Sequence, residues 1–545
     1  MVETPVSFDR RDVFAAIGLA IVVLIAGYWY MVLGVCGNYH DDAIYVSTAK
    51  AIAEGKGYRL INLPTTPVQT KYPFLYPLVL AIIWKIWPSF PGNLFAMQWL
   101  TLMTGAATVA LSYLYVLQFG YCTRRIAVAS GLLCATSGGF LFYSTQTLSE
   151  IPFALLFVLS MWAIDKHIRN PFESRCSQFF IGILLALPFL CRTVGLALPV
   201  VGLIVVCRLR RPVVWLALGS LAGMFPWVLW VVTGIGGGAD HSMAIYYTDY
   251  GGWWYRFGLP SVFRVFFLNL LMVGFHGTSL GLGGLQREVL YVGFEIWLIF
   301  GMLVCYATVI GASRQLRRVR LLPWCLIGYM SIVLLWPWKP YRFLVPVLPL
   351  LLVYALTGIR EMVRRLSSLS IYRTLLVFGL TVAVTANTLW LYRDGQLRRS
   401  TGYVSTRDTY DDRSLYWSSF ENVFEWLKKH SQPSDLIASP LDSMIYLYTG
   451  RRAFRPYVAN PIAVFYLLDR PPVGTREDFI RALEVFRPKY LAQIPVPGSA
   501  AERAFAEFLD RFVATQPGWL RPVHIGDDPR FVIYEVQLQT EASSR

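Results

Sequence analysis

Residues 10–45 read RRDVFAAIGLAIVVLIAGYWYMVLGVCGNYHDDAIY. A basic pair, Arg10 and Arg11, opens an apolar run from Val13 to Val35, and an acidic pair, Asp41 and Asp42, closes it. The run is long enough for a helix to cross the hydrocarbon core of a bilayer, which takes about 20 residues. No small-residue cleavage site follows, so it reads as a retained anchor. Its two flanks differ in sign, and that asymmetry recurs along the chain.

Ten more apolar runs follow: Asn93–Phe119, Ile126–Tyr143, Leu148–Ile164, Phe179–Leu190, Val194–Val206, Val213–Val232, Leu290–Gly311, Leu321–Trp336, Tyr341–Gly358 and Thr374–Leu391. The fifth and sixth of the eleven are short and suit a tight hairpin. With eleven spans, one set of gaps shares a side: Arg10 and Arg11, Arg124 and Arg125, Lys166 to Arg175, Arg208 to Arg211, Arg314 to Arg320, and Arg360 to Arg373. Short loops rich in Lys and Arg stay cytoplasmic. The amino terminus is therefore expected inside, and the end of the chain outside the cell's inner (plasma) membrane. The outer loops carry apolar stretches of their own, such as Ser261–Phe275, which are expected to lie in the interface or dip back into it.

Composition supports the division. The chain of 545 residues is 55% hydrophobic but only 15% charged, where a soluble protein would carry about a quarter charged residues. The deficit ends near Tyr392. An α-helical membrane domain over residues 1–392 is expected, followed by a small extracytoplasmic α/β domain over 393–545. Within the latter, SSFENVFEWLKKH and AERAFAEFLDRF read as helices, and DLIASP, KYLAQIPV and RFVIYEV as strands. The net charge of +16 sits in short inter-span gaps and forms no basic stripe, which excludes nucleic acid as the partner. Eight cysteines show neither CxxC spacing nor a Cys/His cluster, against a zinc or iron–sulfur site.

The chemistry-bearing residues lie on the outer side. Asp41 and Asp42 follow the first span directly, and Tyr45 shares their face of the helix that begins there. Either acid also suits a helix cap or a place in the first turn, where the helix dipole stabilises it. Lys71 opens KYPFLYP and reads as an anion ligand or a snorkelling interfacial lysine. Glu150 heads the fourth span, and Arg192 sits in the turn between the short fifth and sixth. Lys339 and Arg342 precede the tenth span, where Arg342 suits bidentate phosphate recognition and Lys339 also suits interfacial anchoring. These residues come from four connections yet share one level of one face, which supplies acid–base groups and phosphate-binding cations together.

As an ordered set, these segments resemble the GT-C superfamily of polyprenyl-phosphate-dependent glycosyltransferases. The likeness is to the branch of lipid A aminoarabinose transferases and protein O-mannosyltransferases. HDDAIY (40–45) is similar to that family's first-loop acidic pair, with Asp41 at the catalytic position. KYPFLYP (71–77) resembles its Lys-Pro-Pro-Leu-Tyr segment, with Tyr72 and Phe74 in place of the prolines. LSEIPF (148–153), PFLCRTVG (188–195) and KPYRFLVPVLPLL (339–351) resemble its second acidic site, its Arg-Thr turn and its Arg-aromatic segment. The resemblance implies a polyprenyl-phosphate sugar donor, an acceptor that is a lipid, a glycan or a protein, and an inverting displacement. In it Asp41 would be the base, Asp42 or Glu150 would orient the acceptor, and Lys71, Arg192 and Arg342 would hold the phosphate. It leaves a divalent cation open as cofactor. A transporter or flippase of lipid-linked sugars competes with this reading, but no internal repeat with interrupted helices is visible. A surface-glycan polymerase or ligase would instead place its centre in a late outer loop.

Overall fold

The computed structural model describes residues 8–171, 174–234, 253–288, 293–366, 369–401, 415–457, 475–495 and 500–538. Among these, eight helices are long and apolar enough to cross a bilayer: Arg10–Tyr30, Leu94–Gln118, Glu150–Arg169, Val214–Gly234, Gly258–Gly284, Phe294–Arg317, Tyr341–Arg364 and Thr374–Ser400. A bent pair, Arg124–Ala135 and Gly138–Ser144, turns by 63° and makes a ninth span if counted as one. The chain is a multi-pass membrane protein.

All but one of the eight, and the bent pair, fall on expected runs. The fifth, sixth and ninth expected spans are shorter helices, within Arg175–Cys191, Thr193–Arg208 and Leu321–Leu335. Gly258–Gly284 was expected only as an interfacial stretch. Its second half carries Gly, Ser, Thr and His, which break the apolar pattern but are used in packing. Gly284 donates its N–H to Asn387 Oδ1 (2.8 Å), and the Asn387 amide donates to Gly281 O (3.0 Å). The residues before this helix, 235–252, and 290–292 of the eighth expected span lie outside the described residues.

Small residues set the helix spacing. A Cβ at Gly358 would stand 1.7 Å from the Ala307 carbonyl oxygen, so these two helices touch backbone to backbone. At the arginine-rich end, Arg124 clamps the capping box of the first helix, 2.8 Å from Asp9 and 2.7 Å from Asp12. The first helix stops at Tyr30, short of the expected Val35, and the chain then turns through Gly34 and Gly37, both at positive φ.

At the opposite end sits a five-stranded sheet in the order β2 (Ala453–Phe454), β1 (Ile437–Ala438), β3 (Tyr490–Gln493), β5 (Val532–Val536), β4 (Leu520–Ile525). β1 runs parallel to both neighbours, and β5 runs antiparallel to β3 and β4. Helices Trp417–His430, Asp442–Thr449, Arg476–Phe486 and Ala500–Thr515 accompany it. Its core of Phe454, Phe479, Leu483 and Leu509 also takes in Ile44, Leu60 and Leu63 from the loop after the first span. Asn62 O accepts the N–H of Ala453, so that loop also closes the β2 edge of the sheet.

Candidate active site

The helix Asp41–Ala53 has two buried faces. Ile44 enters the sheet domain's core, while Tyr45 packs edge-on against Tyr72 and Tyr76 in the helical bundle. Its N-cap is His40, at φ 59° and ψ −48°. Holding a residue other than glycine there costs about 1–3 kcal/mol, and the backbone keeps it only where the surroundings dictate it.

Neither acid caps the helix, but both stand in its first turn. Asp41 Oδ1 accepts from the Tyr72 hydroxyl, and its Oδ2 lies 2.6 Å from Arg342 Nη1. Asp42 Oδ2 accepts the Gly37 N–H at 2.6 Å. Arg342 Nε also donates to Glu150, whose same oxygen lies 2.7 Å from Arg192 Nη1. Arg192 donates to Ser149 Oγ (3.0 Å), which pairs with the Tyr45 hydroxyl (2.9 Å). One chain of contacts thus links Tyr72, Asp41, Arg342, Glu150, Arg192, Ser149 and Tyr45. Lys71 lies over the Tyr72 ring and within electrostatic reach of Asp41 and Arg342.

Of the residues read from sequence, the fold gathers Asp41, Asp42, Tyr45, Lys71, Glu150, Arg192 and Arg342. Lys339 stays apart: it is exposed, and its charge acts on His276. The sequence reading missed Tyr72 and Ser149 as partners. It also missed His40, whose imidazole meets Asp442 of the sheet domain.

Burial pushes the Asp41 carboxyl up, but Arg342, Lys71 and the Tyr72 hydroxyl outweigh it and hold the group well below the usual carboxylate range. Burial moves Asp42 the other way, to about 6, against the backbone amides of Gly37 and Ala43. Burial also lowers the Lys71 ammonium to about 8, partly offset by Asp41. Two buried carboxylate oxygens, Asp42 Oδ1 and Glu150 Oε2, accept no hydrogen bond among the described residues. Buried acceptors of this kind call for a donor from outside the chain.

A divalent cation does not fit this arrangement. Among the described residues no three His, Cys, Asp or Glu side chains converge as a metal would need. Between Asp41 and Glu150 stands the Arg342 guanidinium. The cluster therefore gathers three cations, Lys71, Arg192 and Arg342, among the carboxylates Asp41, Asp42 and Glu150.

Among solved structures, the fold is similar to AglB, the oligosaccharyltransferase of Archaeoglobus fulgidus in complex with an inhibitory peptide and a dolichol-phosphate. That match has 12% identity and a TM-score of 0.54, over 89% of this chain and 69% of that one. It is similar also to ArnT from Cupriavidus metallidurans bound to undecaprenyl phosphate, with 14% identity and a TM-score of 0.52, over 96% of this chain and 97% of that one. At these identities the likeness is one of fold. No protein-family profile matches the sequence, and no curated protein does.

Proposed function

We propose, with the GT-C fold as premise, that this chain transfers a sugar from a polyprenyl phosphate to an acceptor hydroxyl at the extracytoplasmic face of the plasma membrane. The observation that carries the reading is the convergence of three cations, Lys71, Arg192 and Arg342, on Asp41 and Glu150. A sugar–phospholipid diester brings one negative charge, which Arg342 and Lys71 can receive in exchange for Asp41. Placing that charge near hydrocarbon demands such partners, because isolated charges there are costly.

The reaction follows from the same residues. The acceptor oxygen attacks the anomeric carbon from the face opposite the phosphate. The bond from that carbon to the phosphate oxygen breaks, and the lipid phosphate leaves with the electron pair. Arg342, Lys71 and Arg192 stabilise the growing negative charge. The acceptor proton passes to Asp41. In the donor-free protein Asp41 is too well paired to be a strong base. As Arg342 turns toward the arriving phosphate, that pairing loosens and the carboxylate gains basicity. Asp42 and Glu150, each with an oxygen still able to accept, orient the acceptor hydroxyls.

One observation favours a second assignment within the pair. Asp42, at about 6, is already poised as general bases commonly are, near the working pH. The deciding experiment is transfer of labelled sugar from a polyprenyl phosphate by purified protein in lipid vesicles. Transfer supports the reading. Movement of the lipid-linked sugar across the bilayer without transfer would make the protein a carrier and overturn it.

A further inference from the structure

One short helix of the sheet domain, Asp442–Thr449, grips the turn that leads into the acidic helix. Asp442 is fully buried, with Oδ1 2.6 Å from His40 Nε2 and Oδ2 2.6 Å from Asn62 Nδ2. Further along the helix, the Tyr448 hydroxyl donates to Gly34 O (2.6 Å) and accepts the Cys36 N–H (3.1 Å). Met444 covers Gly37, where an added Cβ would stand 2.6 Å from its own. Gly37 in turn holds Asp42. Residues 34, 36, 37 and 40 are thus all engaged by one helix whose sequence lies about 400 residues away.

We infer that Asp442 is a positioning residue. Through His40 it holds the left-handed turn that sets the direction in which Asp41 and Asp42 leave the first loop. The sheet domain is then a working part of the catalytic unit, beyond any role in choosing the acceptor. This rests on the glycosyl-transfer reading above.

Lys71 lies within electrostatic reach of the same carboxylate, which offers a competing role for Asp442 as a tuner of donor affinity. The two roles separate kinetically. Displacing a reacting group by about 1 Å can cost a hundredfold in rate, whereas a changed charge near Lys71 acts on donor binding. In full-length protein in lipid, Asp442→Ala should lower kcat by about 10- to 100-fold with the donor KM within threefold. Asp442→Asn keeps an acceptor for His40 and should restore most of that loss. Asp435→Asn, at a surface ion pair of the same domain, should change neither constant. Should Asp442→Ala fail to fold, Tyr448→Phe keeps the shape of the grip while removing its hydroxyl, and should lower kcat at constant KM. A wild-type kcat in the variant that folds overturns the inference, as does a loss confined to KM or an Asn variant no better than Ala. Absence of transfer by the wild-type protein would instead remove the functional reading itself.

Discussion

A carboxylate that is to take a proton must first loosen its hold on a cation, and Asp41 holds Arg342 at 2.6 Å. Asp41→Asn keeps the shape and removes the basic electron pair, so turnover should fall by about a hundredfold or more while donor binding survives. Asp42→Asn should cost less. If the Asp42 variant loses more in the sugar-transfer assay, the two roles are exchanged. Arg342→Ala should raise the donor KM at least tenfold, and Arg342→Lys should recover only part of it, since the planar fork is lost; an unchanged KM in the Ala variant removes Arg342 from the phosphate site. The pH dependence follows from the two shifted groups outside the spans. Activity should rise as Asp42 ionises near pH 6 and fall as Lys71 loses its proton near pH 8. Stability runs the other way. The folded state holds the Asp42 proton more tightly than the unfolded chain, so that contribution is present below the ordinary carboxylate range and lost as pH rises to about 6. Folding likewise disfavours charged Lys71, so stability is lost as pH falls from the ordinary lysine range to about 8. A pH–rate profile with no limb near 6 would remove Asp42 from the chemistry. Asp41, Glu150, Arg192 and Arg342 were legible because each is a charge beside an apolar run, where charge needs a reason. Tyr72 and Ser149 were not, since a neutral hydroxyl shows its purpose only when the fold supplies its partner.

Helices were legible wherever composition alone makes them. The apolar runs mark where the chain can enter a bilayer, but not where a helix must stop or bend. The bend in the third run is set by Ser137, whose hydroxyl donates to Leu280 O at 2.6 Å and accepts the Phe140 N–H at 3.1 Å. Leu280 belongs to a helix expected only as an interfacial stretch, so the bend could not be read from its own run alone. The spacing between helices is a matter of single atoms. Gly358→Ala places a methyl group against the Ala307 carbonyl, and overpacking of this kind costs about 1–3 kcal/mol. The midpoint of thermal unfolding in detergent should fall by several degrees, and an unchanged midpoint would mean that the two helices part without cost.

For the molecule as a whole, the proposed orientation rests on the Arg-rich gaps. Gly258–Gly284 is long enough to add one crossing to the eleven expected, so an outer carboxyl end requires that it dip back to its own face or that one more apolar helix cross. A reporter fused to the carboxyl end should be active only outside the cytoplasm, and cytoplasmic activity would put the proposed site on the wrong face. The small α/β domain was legible in outline from its amphipathic helices and the strands around Ile437, Tyr490 and Ile533. Its union with the first loop was not, because Ile44, Leu60 and Leu63 look like ordinary loop or interfacial residues until the sheet stands beside them. That shared core also sets a timetable. Ribosomes add roughly 5–20 residues per second, and roughly 470 residues separate Leu63 from Tyr534 in the last strand. On the proposed topology, the newborn first loop stands outside for about half a minute to a minute and a half with its apolar side chains uncovered. During that interval the acidic pair has no fixed address, and a chain cut short before the sheet carries the residues for chemistry without the place to do it.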